Sequence, residues 1–221
     1  MKTYKIAIDG PAGVGKSSTA KAVAKKLGYI YVDTGAMYRS VGVYCINNNL
    51  QPEDVIPYLD DITIDIKYEN DAQKVFLNGE DVTKKIRTPE GSIYASKVAV
   101  IKEVRDKLVS LQKAMGKVNN VVMDGRDIGT VVFPNAELKI YMTADPMVRA
   151  ERRYKELTAK GDNVTLEEVY ANVVSRDKAD MSRAISPLRK ADDAIVLDNS
   201  TMSVEEQMSW FDEQYRRVTA Q

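Results

Sequence analysis

The sequence predicts an α/β protein built on a central parallel sheet, and three observations carry that expectation. A short apolar run, Tyr4 to Asp9, enters a glycine-rich stretch and then a helical pattern. Further short apolar runs alternate with helical segments along much of the chain, as βαβ crossovers require. In the middle, a period-two stretch followed by a hairpin turn signal breaks that rhythm. The expected architecture is five parallel strands flanked by helices, with a small antiparallel insert.

The elements follow in order. After the first strand, Lys16 to Leu27 reads as a helix stopped by Gly28. Tyr29 to Val32 is a second strand, Asp33-Thr34-Gly35 a turn, and Ala36 to Asn48 a helix that runs into polar residues. Ile62, Ile64 and Ile66 alternate with Thr63, Asp65 and Lys67, the pattern of a half-buried strand. Lys74 to Leu77 is its neighbour and ends at Asn78-Gly79, a tight-turn pair. From Pro89 to Met115 the pattern is helical, with Gly91 and the region of Val100 dividing it. Asn119 to Asp124 and Ala136 to Thr143 read as buried strands of the main sheet. Asp145-Pro146 starts a helix to about Lys160, because Asp caps free amides and Pro suits the first helical position. Thr165 to Glu168 has the form of a capping box for the next helix. Ala194 to Leu197 is the last strand, and Ser203 to Arg217 the last helix.

These elements sum to one domain over residues 1–221. Its core covers about 1–59 and 116–221, with an insert at about 60–115. The 44% apolar content is enough for a buried core. No run approaches the roughly 20 apolar residues of a membrane span, and the start of the chain lacks a signal-peptide pattern, so a soluble cytoplasmic protein is expected. Without histidine and with only Cys45, the chain cannot build a Ser-His-Asp or Cys-His arrangement, a Cys/His zinc site or an internal disulfide. Its 32 basic and 32 acidic residues cancel, which argues against a general nucleic-acid binder.

Residues 10–17, Gly-Pro-Ala-Gly-Val-Gly-Lys-Ser, match the GxxxxGK[ST] phosphate-binding loop and lie where that loop must, between a strand and a helix. Gly10, Gly13 and Gly15 let the backbone wrap an anion, and the helix start adds partial positive charge. Lys16 is suited to β and γ phosphates and Ser17 to Mg²⁺. A P-loop NTPase fold and nucleoside triphosphate binding follow. Neither a DxxG nor an NKxD element accompanies the loop, which counts against a GTP switch and leaves a small kinase as the natural reading.

An acceptor should then leave a trace. Arg39, one turn into its helix, and Arg126, just past a strand end, suit an anionic acceptor, because guanidinium matches phosphate bidentately. Arg149, Arg152 and Arg153 share one face of a helix and either close over the transferring phosphoryl group or form a solvated face with Glu151 and Glu156. Arg176, Asp180 and Arg183 share another face, which from spacing alone reads better as a surface ion-pair ladder. Asp124 ends an apolar strand, where a carboxylate either orients Mg²⁺ through its waters or caps a turn; beside a phosphate loop the metal role is favoured.

Four segments, GPAGVGKSS at 10–18, YVDTGAMYR at 31–39, DGRDIGTVVFP at 124–134 and the arginine-rich helix after Asp145-Pro146, together closely resemble the bacterial cytidylate kinase family. The resemblance runs almost end to end, and the two middle segments are far more specific than the phosphate loop. It implies transfer of the γ-phosphoryl group of ATP to CMP or dCMP with Mg²⁺, by a protein expected to be a monomer without nucleic-acid or membrane partners. It further implies that Gly10, Pro11, Ala12, Gly13, Val14, Gly15, Lys16, Ser17 and Ser18 hold ATP. Arg39, Arg126 and Arg183 would hold the acceptor phosphate, with Thr34 nearby. Ser96, Arg105 and Asp127 would read cytosine, Arg176 and Asp180 would meet the ribose, and Arg149, Arg152 and Arg153 would form a helical lid at about 147–165. An adenylate- or uridylate-type kinase and a non-catalytic ATP-binding protein are the alternatives.

Overall fold

The computed structural model describes residues 3–69 and 72–219. The chain divides into two compact units, one made of residues 1–31 and 116–221, the other of residues 32–115.

The first unit carries the strands β1 (Lys5–Asp9), β6 (Val121–Gly125), β7 (Leu138–Thr143) and β8 (Ile195–Asp198), while β2 (Ile30–Asp33) crosses the division. These five form one sheet in the order β2-β6-β1-β7-β8. β1 runs parallel to β6, with Ile8 opposite Asp124, and to β7, with Ile8 opposite Ile140. β8 continues the parallel set, with Leu197 opposite Met142. Because β1 is central, the loop that leaves its carboxyl end opens at the middle of the sheet edge, where open α/β sheets bind ligands.

The first unit also carries the helices α1 (Lys16–Leu27), α5 (Pro146–Ala159), α6 (Leu166–Ser182) and α7 (Val204–Thr219). Its core joins Ile6, Ile8, Val122, Ile140 and Met142 of the strands to Val23 of α1 and Phe211 of α7. A smaller cluster of Ala150, Val169 and Val173, flanked by Tyr154 and Leu157, packs α5 on α6. Thr165 and Glu168 form the expected capping box, each side chain accepting from the other residue's backbone N–H.

The second unit contains α2 (Thr34–Asn47), α3 (Pro89–Val98) and the three-stranded antiparallel sheet of β3 (Ile64–Glu69), β4 (Ala72–Leu77) and β5 (Glu80–Asp81). A further helix, α4 (Lys102–Val118), passes out of it across the second division point. Asn78 and Gly79, at φ 51° and 84°, make the two-residue turn that returns β4 onto β5. The unit begins at Val32 and so includes α2, well before the boundary near 60 that the antiparallel pattern suggests. Packing explains this: α2 lies against α3, where a Cβ on Gly42 would meet that of Tyr94 at 2.9 Å.

Three local details differ from the sequence reading. α2 starts at Thr34, because Asp33 caps it by accepting from the Ala36 N–H at 2.9 Å, so Thr34 and Gly35 form its first turn. A run of 3₁₀ turns covers Pro52–Asp61, where no element is expected, and buries Pro52, Val55 and Leu59. Residues Ile128–Val132 form a π-helical turn that no local pattern marks.

Candidate active site

The phosphate loop is built as its sequence requires. Gly10 lies against β7: a side chain there would put Cβ 2.1 Å from the Met142 carbonyl oxygen, so only glycine fits. Gly15, at φ 89°, is the left-handed N-cap of α1, a conformation glycine adopts at little steric cost. That helix start differs from those of α2, α3, α5 and α6. The side chains of Asp33, Thr88, Asp145 and Thr165 cap α2, α3, α5 and α6 by accepting from first-turn N–H groups, whereas α1 has no side-chain cap and no acid in its first turn. Its first amides and its positive dipole end are thus not engaged by a side chain, as anion binding demands.

Lys16 and Ser17 stand at this start. The Lys16 ammonium donates to the Pro11 carbonyl at 2.6 Å and its side chain is buried. Burial lowers its pKa well below 10.5, and the Arg126 charge lowers it further, against the opposing pull of Asp124, Asp9 and Asp180. The Ser17 hydroxyl donates to Asp124 Oδ2 at 3.0 Å, and the Tyr31 hydroxyl donates to Asp124 Oδ1 at 2.8 Å. Asp124 is thus held from both sides at the end of β6. One hydroxyl and one carboxylate in contact are hard oxygen donors of the kind Mg²⁺ takes, with waters and phosphates completing its shell, so the pair fits that ion. Among the described residues no group of three or more acidic or Cys side chains forms a separate metal cage.

Arg126 follows β6 directly. Its Nε donates to Asp180 Oδ2 at 2.7 Å. Burial works to raise the pKa of Asp180, but Arg126, Arg176 and Arg183 together hold it below the ordinary 3.8. Arg126, Arg176, Asp180 and Arg183 are therefore one cationic cluster around one carboxylate, and the face that spacing alone reads as a surface ladder reaches back to the end of β6. Arg183 donates from Nε to the Ser186 carbonyl at 2.6 Å. Asp127 is buried beside Arg126 and does not cap the turn it precedes.

The three arginines of α5 separate. Arg149 is 2% exposed, donates from both terminal nitrogens to Asp177 at 3.0 and 2.6 Å, and reaches the Ala12 carbonyl of the phosphate loop at 3.1 Å. Arg152 donates to the Asn199 side-chain and backbone oxygens at 3.2 and 2.8 Å. Arg153 is exposed and pairs with Glu156 at 2.7 Å.

The second unit holds the remaining candidates. Thr34 is buried in the first turn of α2, and Arg39 folds back to donate to Asp33 Oδ2 at 2.8 Å, with Gly35 leaving room for its guanidinium. Arg105 is buried, donates to the Ala99 carbonyl at 3.1 Å and lies 5.5 Å from the Tyr38 ring centre. Ser96 is exposed on α3, its hydroxyl donating to the Ser92 carbonyl.

Sequence reasoning passed over Asp9, Tyr31, Asp177 and Asn199. Asn199 is 1% exposed and its amide donates to the Val14 carbonyl at 2.8 Å and to Gln207 at 3.1 Å, fixing the phosphate loop from the far end of the chain. Asp9 ends an apolar strand as Asp124 does, and the same argument applied to it would have found it. The other three carry no local signal, because Asp177 meets Arg149 from 28 residues away, Tyr31 meets Asp124 from 93 and Asn199 meets Val14 from 185.

With this geometry in view, comparison with known proteins is informative. The profile of the family described as cytidylate kinase matches residues 6–216. A protein named cytidylate kinase from Caldicellulosiruptor bescii is 52% identical over 93% of this chain and 92% of its own. Those from Flavobacterium johnsoniae and Bacteroides thetaiotaomicron are 52% and 48% identical, over 95% and 99% of this chain and 94% and 99% of theirs. Among solved structures, a gluconokinase from Sinorhizobium meliloti aligns with a TM-score of 0.52 at 11% identity, over 98% of this chain and 94% of its own. A shikimate kinase from Bacteroides thetaiotaomicron aligns with a TM-score of 0.51 at 13% identity, over 96% and 98%, so these two share the fold. With a profile match over nearly its whole length and relatives this similar, the chain belongs to the cytidylate kinase family.

Proposed function

We propose that this protein transfers the γ-phosphoryl group of ATP to CMP or dCMP, giving ADP and the nucleoside diphosphate. The observation that carries the reading is the 52% identity over 93% of the chain to a protein named cytidylate kinase. The phosphate loop, the Ser17–Asp124 pair and the cationic cluster around Asp180 are the parts such a reaction needs. Residues 10–18 hold the triphosphate.

The acceptor phosphate has a second pKa near 6 and is largely ionised at neutral pH, so no general base is required and catalysis is positioning and charge neutralisation. Arg39, Arg126 and Arg183 hold the acceptor phosphate, with Thr34 near the nucleotide, and Arg176 with Asp180 meets the ribose. Ser96, Arg105 and Asp127 read cytosine: a carboxylate accepts from the exocyclic amine, and an arginine donates to ring acceptors. UMP offers an acceptor where CMP offers a donor and so leaves Asp127 badly paired, at a cost of about 1 to 3 kcal/mol.

Ser17, with Asp124 through water, would hold Mg²⁺, which would neutralise charge on the triphosphate. Lys16 supplies positive charge to the same phosphates, and the negative triphosphate works against the lowering effect of burial on its pKa. Arg149, Arg152 and Arg153 supply the lid's charge to the transferring phosphoryl group, Arg149 from beside Ala12 of the phosphate loop. Residues 147–165 move as that lid, and the protein works as a cytoplasmic monomer. No described helix is long and apolar enough to cross a membrane.

The test is to incubate the protein with ATP, Mg²⁺ and each nucleoside monophosphate in turn and to follow ADP release. Turnover that depends on CMP or dCMP and greatly exceeds that with UMP or AMP is expected. Faster turnover with another base, or none that depends on an acceptor, overturns the reading.

A further inference from the structure

Asp9 is the last residue of β1 and directly precedes the phosphate loop. Its carboxylate is buried and accepts two short hydrogen bonds, from the Ile128 N–H at 2.8 Å and the Gly129 N–H at 2.7 Å. These are the first amides of the π-helical turn that follows Arg126 and Asp127. Such a turn ordinarily takes its cap from the residue before it, yet Asp127 makes no capping bond. Asp9 caps the turn from another strand, and the Asp127 carboxylate is not spent on it. The approach is tight: a Cβ on Gly129 would stand 3.3 Å from Asp9 Oδ2 and from the Lys139 side chain, so one of them would have to give by a few tenths of an ångström.

We propose that Asp9 is a positioning residue for the acceptor, fixing through its two hydrogen bonds the turn that carries Arg126 and Asp127 while leaving the phosphate loop to other anchors. The proposal rests on the reading that those two residues meet the acceptor nucleotide. The separation from ATP binding follows from the backbone. Asp9 is held in the sheet opposite Gly125 and Tyr141 by ladder pairings that do not involve its side chain, and Gly10 is seated against Met142. Removing the carboxylate therefore loosens residues 126–129 and leaves the loop at 10–17 in place.

The experiment is steady-state kinetics of the full chain with CMP and ATP varied separately, for wild type, Asp9→Ala, Asp9→Asn and Gly129→Ala. Losing two bonds to a charged acceptor in Asp9→Ala raises KM for CMP about tenfold or more while KM for ATP stays within about twofold. Asp9→Asn, which keeps one acceptor oxygen, shows a smaller rise in the same direction. Gly129→Ala, which crowds the carboxylate without removing it, raises KM for CMP as well and keeps the test open if Asp9→Ala does not fold. Amide exchange followed by NMR adds a readout independent of turnover: the Ile128 and Gly129 N–H groups lose protection in Asp9→Asn. An unchanged KM for CMP, a KM for ATP that rises equally, or unchanged protection at both amides overturns the proposal. A wild-type protein that does not turn over CMP overturns the acceptor reading along with it, whereas an active wild type with indifferent Asp9 variants overturns only the positioning role.

Discussion

Arg149 and Asp177 face each other through two parallel hydrogen bonds of 3.0 and 2.6 Å, joining α5 to α6, and the same guanidinium reaches the Ala12 carbonyl in the phosphate loop. Both side chains are largely buried, at 3% and 14% exposure. Breaking such a pair from one side strands the other charge, so Arg149→Ala is expected to cost about 3 to 5 kcal/mol in urea unfolding. It should also weaken ATP binding, because Ala12 loses its anchor. Reversing neither stability nor ATP affinity by more than about 1 kcal/mol would show that the pair is dispensable.

Lys16→Ala separates catalysis from stability. The ammonium is buried and its pKa is lowered, first by burial, so its charge costs the folded state something. Turnover should fall by about 10²- to 10³-fold, the usual cost of removing one group that stabilises transition-state charge. The urea midpoint should hold or rise. Retained turnover in a coupled ADP-release assay would remove Lys16 from the chemistry.

Asp9 should leave a pH signature in stability. Burial pushes its carboxyl up to about 6 from 3.8, with a smaller push from the Asp127 charge, against the lowering pull of the Gly129 and Ile128 amides and Lys16. The folded state therefore holds this proton where the unfolded state has released it, and stability falls as pH rises from about 4 to about 6. A shift of about two units corresponds to roughly 3 kcal/mol at most. Asp9→Asn lacks this contribution, so the stability of the variant relative to wild type should improve across that window, as measured by urea unfolding at successive pH values.

Tyr31→Phe tests how Asp124 is held. The phenol donates to Asp124 Oδ1 at 2.8 Å while Ser17 occupies Oδ2. Losing the phenol frees the carboxylate to rotate, and the Mg²⁺ concentration for half-maximal turnover should rise about tenfold, at the low end for lost outer support of a metal site. KM for ATP at saturating Mg²⁺ should be little changed.

Asp127→Ala addresses base choice. If its carboxylate accepts from the cytosine amine, the ratio of kcat/KM for CMP over UMP should fall by about 10-fold or more, with ATP affinity kept. An unaltered ratio would remove Asp127 from base recognition.

Much of this was legible locally. The phosphate loop needs only eight consecutive residues, because its glycines and lysine work through backbone conformation and a helix start that neighbouring residues specify. The Asn78-Gly79 turn, the Asp145 cap and the Thr165 capping box were readable for the same reason. Asp124 could be picked out as polar at the end of an apolar strand, although Tyr31, which holds it, could not.

The sequence by itself determined the parallel α/β fold, the anion-binding loop and the arginine supply, since each depends on residues within a few positions of one another. Tertiary structure decided what each charge does. Spacing put Arg149, Arg152 and Arg153 on one helix face as equals, but Asp177, Asn199 and Glu156 give them three separate environments. It made Arg176, Asp180 and Arg183 look like a surface ladder, until Arg126 from the end of β6 met Asp180. The π turn at 128–132 takes its cap from a carboxylate 119 residues away. A side chain's partners across the fold are set by packing, which local periodicity does not encode.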